Sequence, residues 1–226
     1  MVWRIHKTFE FCYGHRVWTQ KLDKEFAMDT NCKCRHLHGH EGKVLVHLTG
    51  EVDEATSMLT DFRHLEWFKV FLDKNVDHRF ILDLHDPLAD EMVSGRALVP
   101  VYVPGTEYIA GWTLDLEGVE PGTPDYEYLE GFFVVDFVPT SEKLSQWAHQ
   151  ICQAKMIRLG VMVDKIEWWE TPKSCSVYEL GEKEKVVALA IVAGERDILA
   201  GRTYTHEEVK ERLSKYFSPT GPITLN

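Results

Sequence analysis

No apolar run in this sequence is long enough to cross a bilayer, which takes roughly 20 residues; the longest, VVALAIVAG at 186 to 194, is about half that and is flanked by charge. There is no basic excess either. Lys and Arg total 25 against 36 Asp and Glu, a formal net charge of -11, which argues against broad nucleic-acid binding because that requires a basic face. A local pocket for an anionic substrate stays compatible with that charge. The five cysteines, Cys12, Cys32, Cys34, Cys152 and Cys175, form no evenly spaced framework, so a disulfide scaffold is not expected. The opening MVWRIHKTFEF lacks the basic, apolar and small-residue segments of a secretory leader. A reducing cytoplasm is the expected setting, with no membrane and no nucleic acid as partner. Internal repeats and low-complexity tracts are also missing.

With 226 residues, 44% of them hydrophobic, the chain can bury one sizeable core without staples. Alternating or apolar stretches bounded by turn residues predict strands at about 2 to 12, 43 to 50, 132 to 138, 161 to 169 and 175 to 180. Residues 59 to 75 carry Phe62, Leu65, Trp67, Phe68, Phe71 and Leu72 on a broad apolar helical face behind Asp61 as N-cap. A second helix starts at Thr140 or Ser141 and stops near Gly160, a left-handed cap. This order predicts an α+β domain whose helices cover one face of an antiparallel sheet. Residues 85 to 131, rich in proline and glycine, are expected to be an inserted loop or hairpin on the surface, dispensable for folding. Beyond 182 a C-terminal extension to 226 is expected, with Thr205 and Glu208 as the capping box of a short helix.

Chemistry concentrates in CKCRHLHGH, residues 32 to 40. On a strand, His38 and His40 point to the same face, so both imidazoles can reach one metal. His15, at the end of FCYGH, can supply a third nitrogen. Three histidines leave one position open, the pattern of a catalytic zinc site. Spacing alone leaves two alternatives standing: HGH as a surface turn, or Cys32 or Cys34 as a fourth ligand closing a structural site.

Cys34, three residues, then His38-Gly39-His40 resembles the active-site signature of the 6-carboxy-tetrahydropterin synthases, in the 6-pyruvoyl-tetrahydropterin synthase superfamily. FEFCYGH resembles the first-strand motif ending in the first zinc ligand, with Tyr13-Gly14 in place of the usual small pair. GEVDEATSMLTDFRHLEW, VDHRFIL, PTSE and WWET follow in the family's order. Together these motifs span roughly residues 4 to 84 and 133 to 182, so the domain is taken as 1 to 182 with the insertion inside it.

The resemblance implies the tunnelling fold, a four-stranded antiparallel sheet with two helices on one face, assembled as a homohexamer or other homo-oligomer with sites between subunits. It also implies a zinc cofactor on His15, His38 and His40, with a dihydropterin triphosphate as substrate. Cys34 becomes the general base, His78 oriented by Asp77 the proton relay, and Glu170 the carboxylate that grips the pterin. Expected products are 6-carboxy-tetrahydropterin, acetaldehyde and triphosphate, on the route to 7-deazaguanine nucleosides. Pyruvoyl-forming relatives carry their cysteine five residues before HGH, where Cys32 stands, so both products stay open. So does a non-catalytic zinc or pterin binder.

Overall fold

A computed structural model describes residues 3 to 27, 32 to 205, 207 to 209 and 211. Alternation begins at once: in β1 (Trp3–His15) the odd residues Phe9, Phe11, Tyr13 and His15 are buried while the even ones face outward. β1 runs antiparallel to β2 (His38–Gly50), from Trp3 opposite Gly50 to His15 opposite His38. β7 (Met162–Thr171) pairs with β2, and β8 (Ser174–Glu179) with β7, both antiparallel. These four strands are the antiparallel sheet expected from sequence.

The sheet does not stop there. On the other side of β1 lie β3 (Arg79–Asp83) and β6 (Phe132–Val135), joined by parallel pairings, then β5 (Ile109–Leu114) and β4 (Leu98–Tyr102). The result is one eight-stranded mixed sheet in the order β4-β5-β6-β3-β1-β2-β7-β8, which corrects the four-stranded expectation.

Two helices cover one face. Asp61 accepts from the Arg63 N–H and starts a short 3-10 turn that leads into α1 (Glu66–Asn75). Thr140 accepts from the Lys143 N–H and caps α4 (Ser141–Met156), which runs through a 3-10 turn to Gly160 at φ 64. Phe68, Phe71 and Leu72 of α1 and Leu144, Trp147 and Ile151 of α4 pack with Phe9, Phe11, Val44 and Val46 in the main core.

The insertion is not a surface appendage. Between β3 and β6 it supplies α2 (Ala89–Val93), the β4–β5 hairpin and α3 (Pro124–Glu130). Ala89, Val93, Leu114 and Leu129 make a second core with Leu82, Phe132 and Val134 on the face opposite α1 and α4. Val103 and Ala110 belong to the main core. Gly111 is required where the hairpin meets the sheet, since a Cβ there would lie 2.6 Å from Phe133 and 2.7 Å from the Val134 carbonyl. Leu114→Ala is therefore expected to cost about 2–5 kcal/mol, the usual penalty for truncating a buried leucine. Urea denaturation measures it; a change below about 0.5 kcal/mol, typical of surface sites, would return the insertion to the surface.

The extension beyond residue 182 opens with α5 (Glu182–Leu199), a helix not expected from sequence and distinct from the short one expected near 205. Arg196 fastens it by donating to the carbonyls of Gly160 and Glu51. The capping box at Thr205 and Glu208 is formed; the part of that helix beyond 211 lies outside the described residues. No helix among the described residues is long and apolar enough to cross a membrane.

Candidate active site

Strand register builds the site. His38 lies opposite His15 and His40 opposite Tyr13, and period-two alternation turns all four toward the helix-covered face at one end of the sheet. One ring nitrogen from each of His15, His38 and His40 lies within 4.8 Å of the other two, and the Nε2 atoms of His15 and His40 are 3.0 Å apart.

Second contacts fix which nitrogens face inward. His15 Nδ1 lies 2.6 Å from the Pro139 carbonyl oxygen and His38 Nδ1 lies 2.8 Å from that of His36. In a neutral ring the nitrogen against a carbonyl is the donor, so the Nε2 lone pair of each is left for the site. Burial lowers the pKa of His15 to about 4, with a part of that offset by Pro139 and some added by His38 and His40. His40 is also held below the ordinary imidazole range, by burial first and His38 second. Three imidazole nitrogens so close together, two of the rings held below the ordinary range by burial, suit a zinc ion.

Sequence reasoning assigned no role to Tyr13, though alternation from His15 was enough to find it. Its buried hydroxyl accepts from Trp168 Nε1 at 3.0 Å, and burial together with Glu170 pushes its pKa up. Glu170 itself, near the end of β7, places Oε1 3.8 Å from His15 Nε2. Burial raises its pKa, opposed by His38. Cys34 sits on a 3-10 turn, Lys33–Arg35, where the Cys32 Sγ accepts from the Cys34 N–H. The Cys34 carbonyl accepts from the Val17 N–H at 2.8 Å, which pins the turn beside the end of β1. Burial pushes the Cys34 thiol up to about 11, with further contributions from Cys32 and Glu170. His15, His38, His40 and Glu170 thus share one end of one face, and Cys34 lies near enough to Glu170 for that carboxylate to act on its thiol.

Asp77 and His78 lie elsewhere within the chain. The Asp77 carboxylate accepts from the Cys12 N–H at 2.8 Å and stands 3.0 Å from His78 Nδ1. Their side chains converge with the thiol of Cys12, an outward residue of β1 on the face opposite His15. A groove of about 750 Å³ passes over Gly14 and Gly39 there, with His78, Phe80 and Tyr128 along it.

An α+β sheet that gathers three histidines and a carboxylate at one end, with a thiol nearby, defines a protein with a candidate metal site. Comparison with known proteins makes this specific: residues 4–181 match the family model of 6-pyruvoyl tetrahydropterin synthase, and the chain belongs to that family. It is 28% identical over 188 residues to the 6-carboxy-5,6,7,8-tetrahydropterin synthase of Aquifex aeolicus, covering 79% of this chain and 99% of that one. Human 6-pyruvoyl tetrahydrobiopterin synthase is 29% identical over 103 residues, 44% of this chain and 70% of that protein. Among solved structures, an uncharacterized Wolinella succinogenes protein is 41% identical with a TM-score of 0.72, over 80% of this chain and 99% of that one.

Proposed function

We propose that the chain is a zinc-dependent 6-carboxy-tetrahydropterin synthase, converting 7,8-dihydroneopterin triphosphate to 6-carboxy-5,6,7,8-tetrahydropterin, acetaldehyde and triphosphate, for 7-deazaguanine biosynthesis. The carrying observation is the grouping of the three histidines with Glu170 on one face, with the Cys34 thiol near enough to feel that carboxylate. Likeness to the Aquifex enzyme over nearly its whole length supports the product.

His15, His38 and His40 would hold zinc through their inward nitrogens. The ion supplies Lewis acidity toward the substrate's hydroxyl oxygens, which makes the neighbouring C–H bonds easier to ionise. Cys34 takes the proton as general base. Glu170 accepts hydrogen bonds from the 2-amino and ring N–H groups of the pterin and fixes its orientation. His78, held by Asp77, relays protons. Because that pair lies on the other face of its own chain's sheet, we assign it to the site of a neighbouring copy, in keeping with a homo-oligomer.

Incubating the zinc-loaded protein with dihydroneopterin triphosphate is expected to release acetaldehyde with 6-carboxy-tetrahydropterin. A pyruvoyl product without acetaldehyde would move the chain to its sister activity, the one favoured by the position of Cys32. Zinc binding with no turnover by the intact oligomer would leave a non-catalytic binder.

A further inference from the structure

The cluster on the outward face contains a second set of metal donors. One ligand atom from each of Cys12, Asp77 and His78 lies within 4.8 Å of the other two, the only such group among the described residues besides the three histidines. Two backbone bonds lock it: Cys12 N–H to Asp77 Oδ1 at 2.8 Å and His78 N–H to the Cys12 carbonyl at 2.7 Å. The lock holds His78 at φ 58, a left-handed conformation that is strained for a non-glycine residue and gathers at functional sites. Beyond the contact of Asp77 Oδ1 with His78 Nδ1, no hydrogen bond among the described residues engages His78 Nε2, the second Asp77 oxygen or the Cys12 thiol. The cluster opens onto the groove, so water or a ligand oxygen can complete a shell.

We propose that Cys12, Asp77 and His78 form a second divalent-cation site, separate from the three histidines. A thiolate, an imidazole and a carboxylate select a borderline ion such as zinc or cobalt(II) over magnesium or calcium, which prefer all-oxygen shells. Zinc bonds of about 2.0–2.3 Å require the donors to draw in from the spacing seen, which side-chain rotation of Cys12 and of the exposed His78 supplies. The consequence for turnover rests on the relay role proposed above for His78: an ion held there removes the relay, so a second equivalent of zinc inhibits.

Cobalt(II) is the probe, because sulfur ligation gives a near-ultraviolet charge-transfer band that a three-histidine site does not. In the metal-free Cys32→Ser/Cys34→Ser chain, titration is expected to show two equivalents per chain, with the band accompanying one of them. Adding Cys12→Ser should abolish the band, and Cys12→Ser or His78→Asn should each weaken that equivalent about tenfold or more, leaving the other in place. His38→Ala should remove the other equivalent and keep the band. A single equivalent, a missing band or a band that survives Cys12→Ser overturns the proposal. In turnover assays excess zinc should inhibit the wild-type chain and not Cys12→Ser. Absence of turnover in both would sink the enzymatic reading, while the cobalt titration would still decide the site.

Discussion

His38→Ala and His40→Ala are each expected to purify with about a tenth or less of the zinc carried by the parent chain, and to lose turnover with it. The parent should hold about one tightly bound zinc per chain. Three nitrogen ligands leave no redundancy: deleting one leaves two imidazoles and water, whereas losing even an outer-sphere partner of a metal ligand typically costs 10–100-fold in affinity. These two positions are the informative ones because they are half-buried and lie on a strand whose pairing does not depend on their side chains. His15 is a poorer probe, since at 1% exposure its truncation opens a cavity and strands the Pro139 carbonyl, mixing metal loss with unfolding. Metal analysis beside a thermal melt separates the effects: zinc should fall while the melt of the metal-free chains stays close to that of the metal-free parent. If both variants keep full occupancy, the three histidines are not the site.

Much of that geometry could be read from residue order. HGH on a strand commits two imidazoles to one face, and FCYGH at the end of another supplies the third once the strands pair, which the register of His15 with His38 does. Asp61, Thr140 and Gly160 announced their helix ends through local chemistry that needs no tertiary context.

The hairpin's membership of the sheet was hidden by its proline. Pro100 is a loop signal in sequence, yet it sits on β4, the edge strand, where a missing N–H costs little. β3 escaped because five residues with both faces buried at their end show no alternation. α5 carries a moderate apolar stripe, and what anchors it is Arg196 reaching two distant carbonyls, a contact that no periodicity encodes. The separation of His78 from Cys34 follows from Cys12 being an even-numbered residue of β1, and only the parallel pairing of β3 with β1 reveals that Asp77 docks on that side.

Cys34→Ala is expected to cut turnover by roughly 10²–10⁴-fold, the usual loss on removing a general base, while zinc content stays near one per chain. Cys32→Ala should change little. The fold gives the two thiols different work: Cys32 caps the 3-10 turn by accepting from the Cys34 N–H, a weak sulfur bond at 3.4 Å. Cys34 is tied through its carbonyl to Val17 and lies close enough to Glu170 for that carboxylate to act on its thiol. With burial holding the thiol near 11 in the metal-free chain, thiolate at pH 8 amounts to about one part in a thousand. Alkylation of Cys34 by iodoacetamide should therefore be slow in metal-free protein and should climb with pH toward about 11. A nearby cation lowers a thiol's pKa, so loading zinc should speed alkylation at pH 8, and His38→Ala should abolish that gain. Three outcomes stand apart in one set of preparations. Loss of zinc or of folding in Cys34→Ala would make the thiol a structural ligand. Inactivity of Cys32→Ala, with no acetaldehyde from the parent, would assign the base to Cys32 and the product to the pyruvoyl series. Retained zinc with turnover lost only in Cys34→Ala leaves Cys34 as the group that takes the proton.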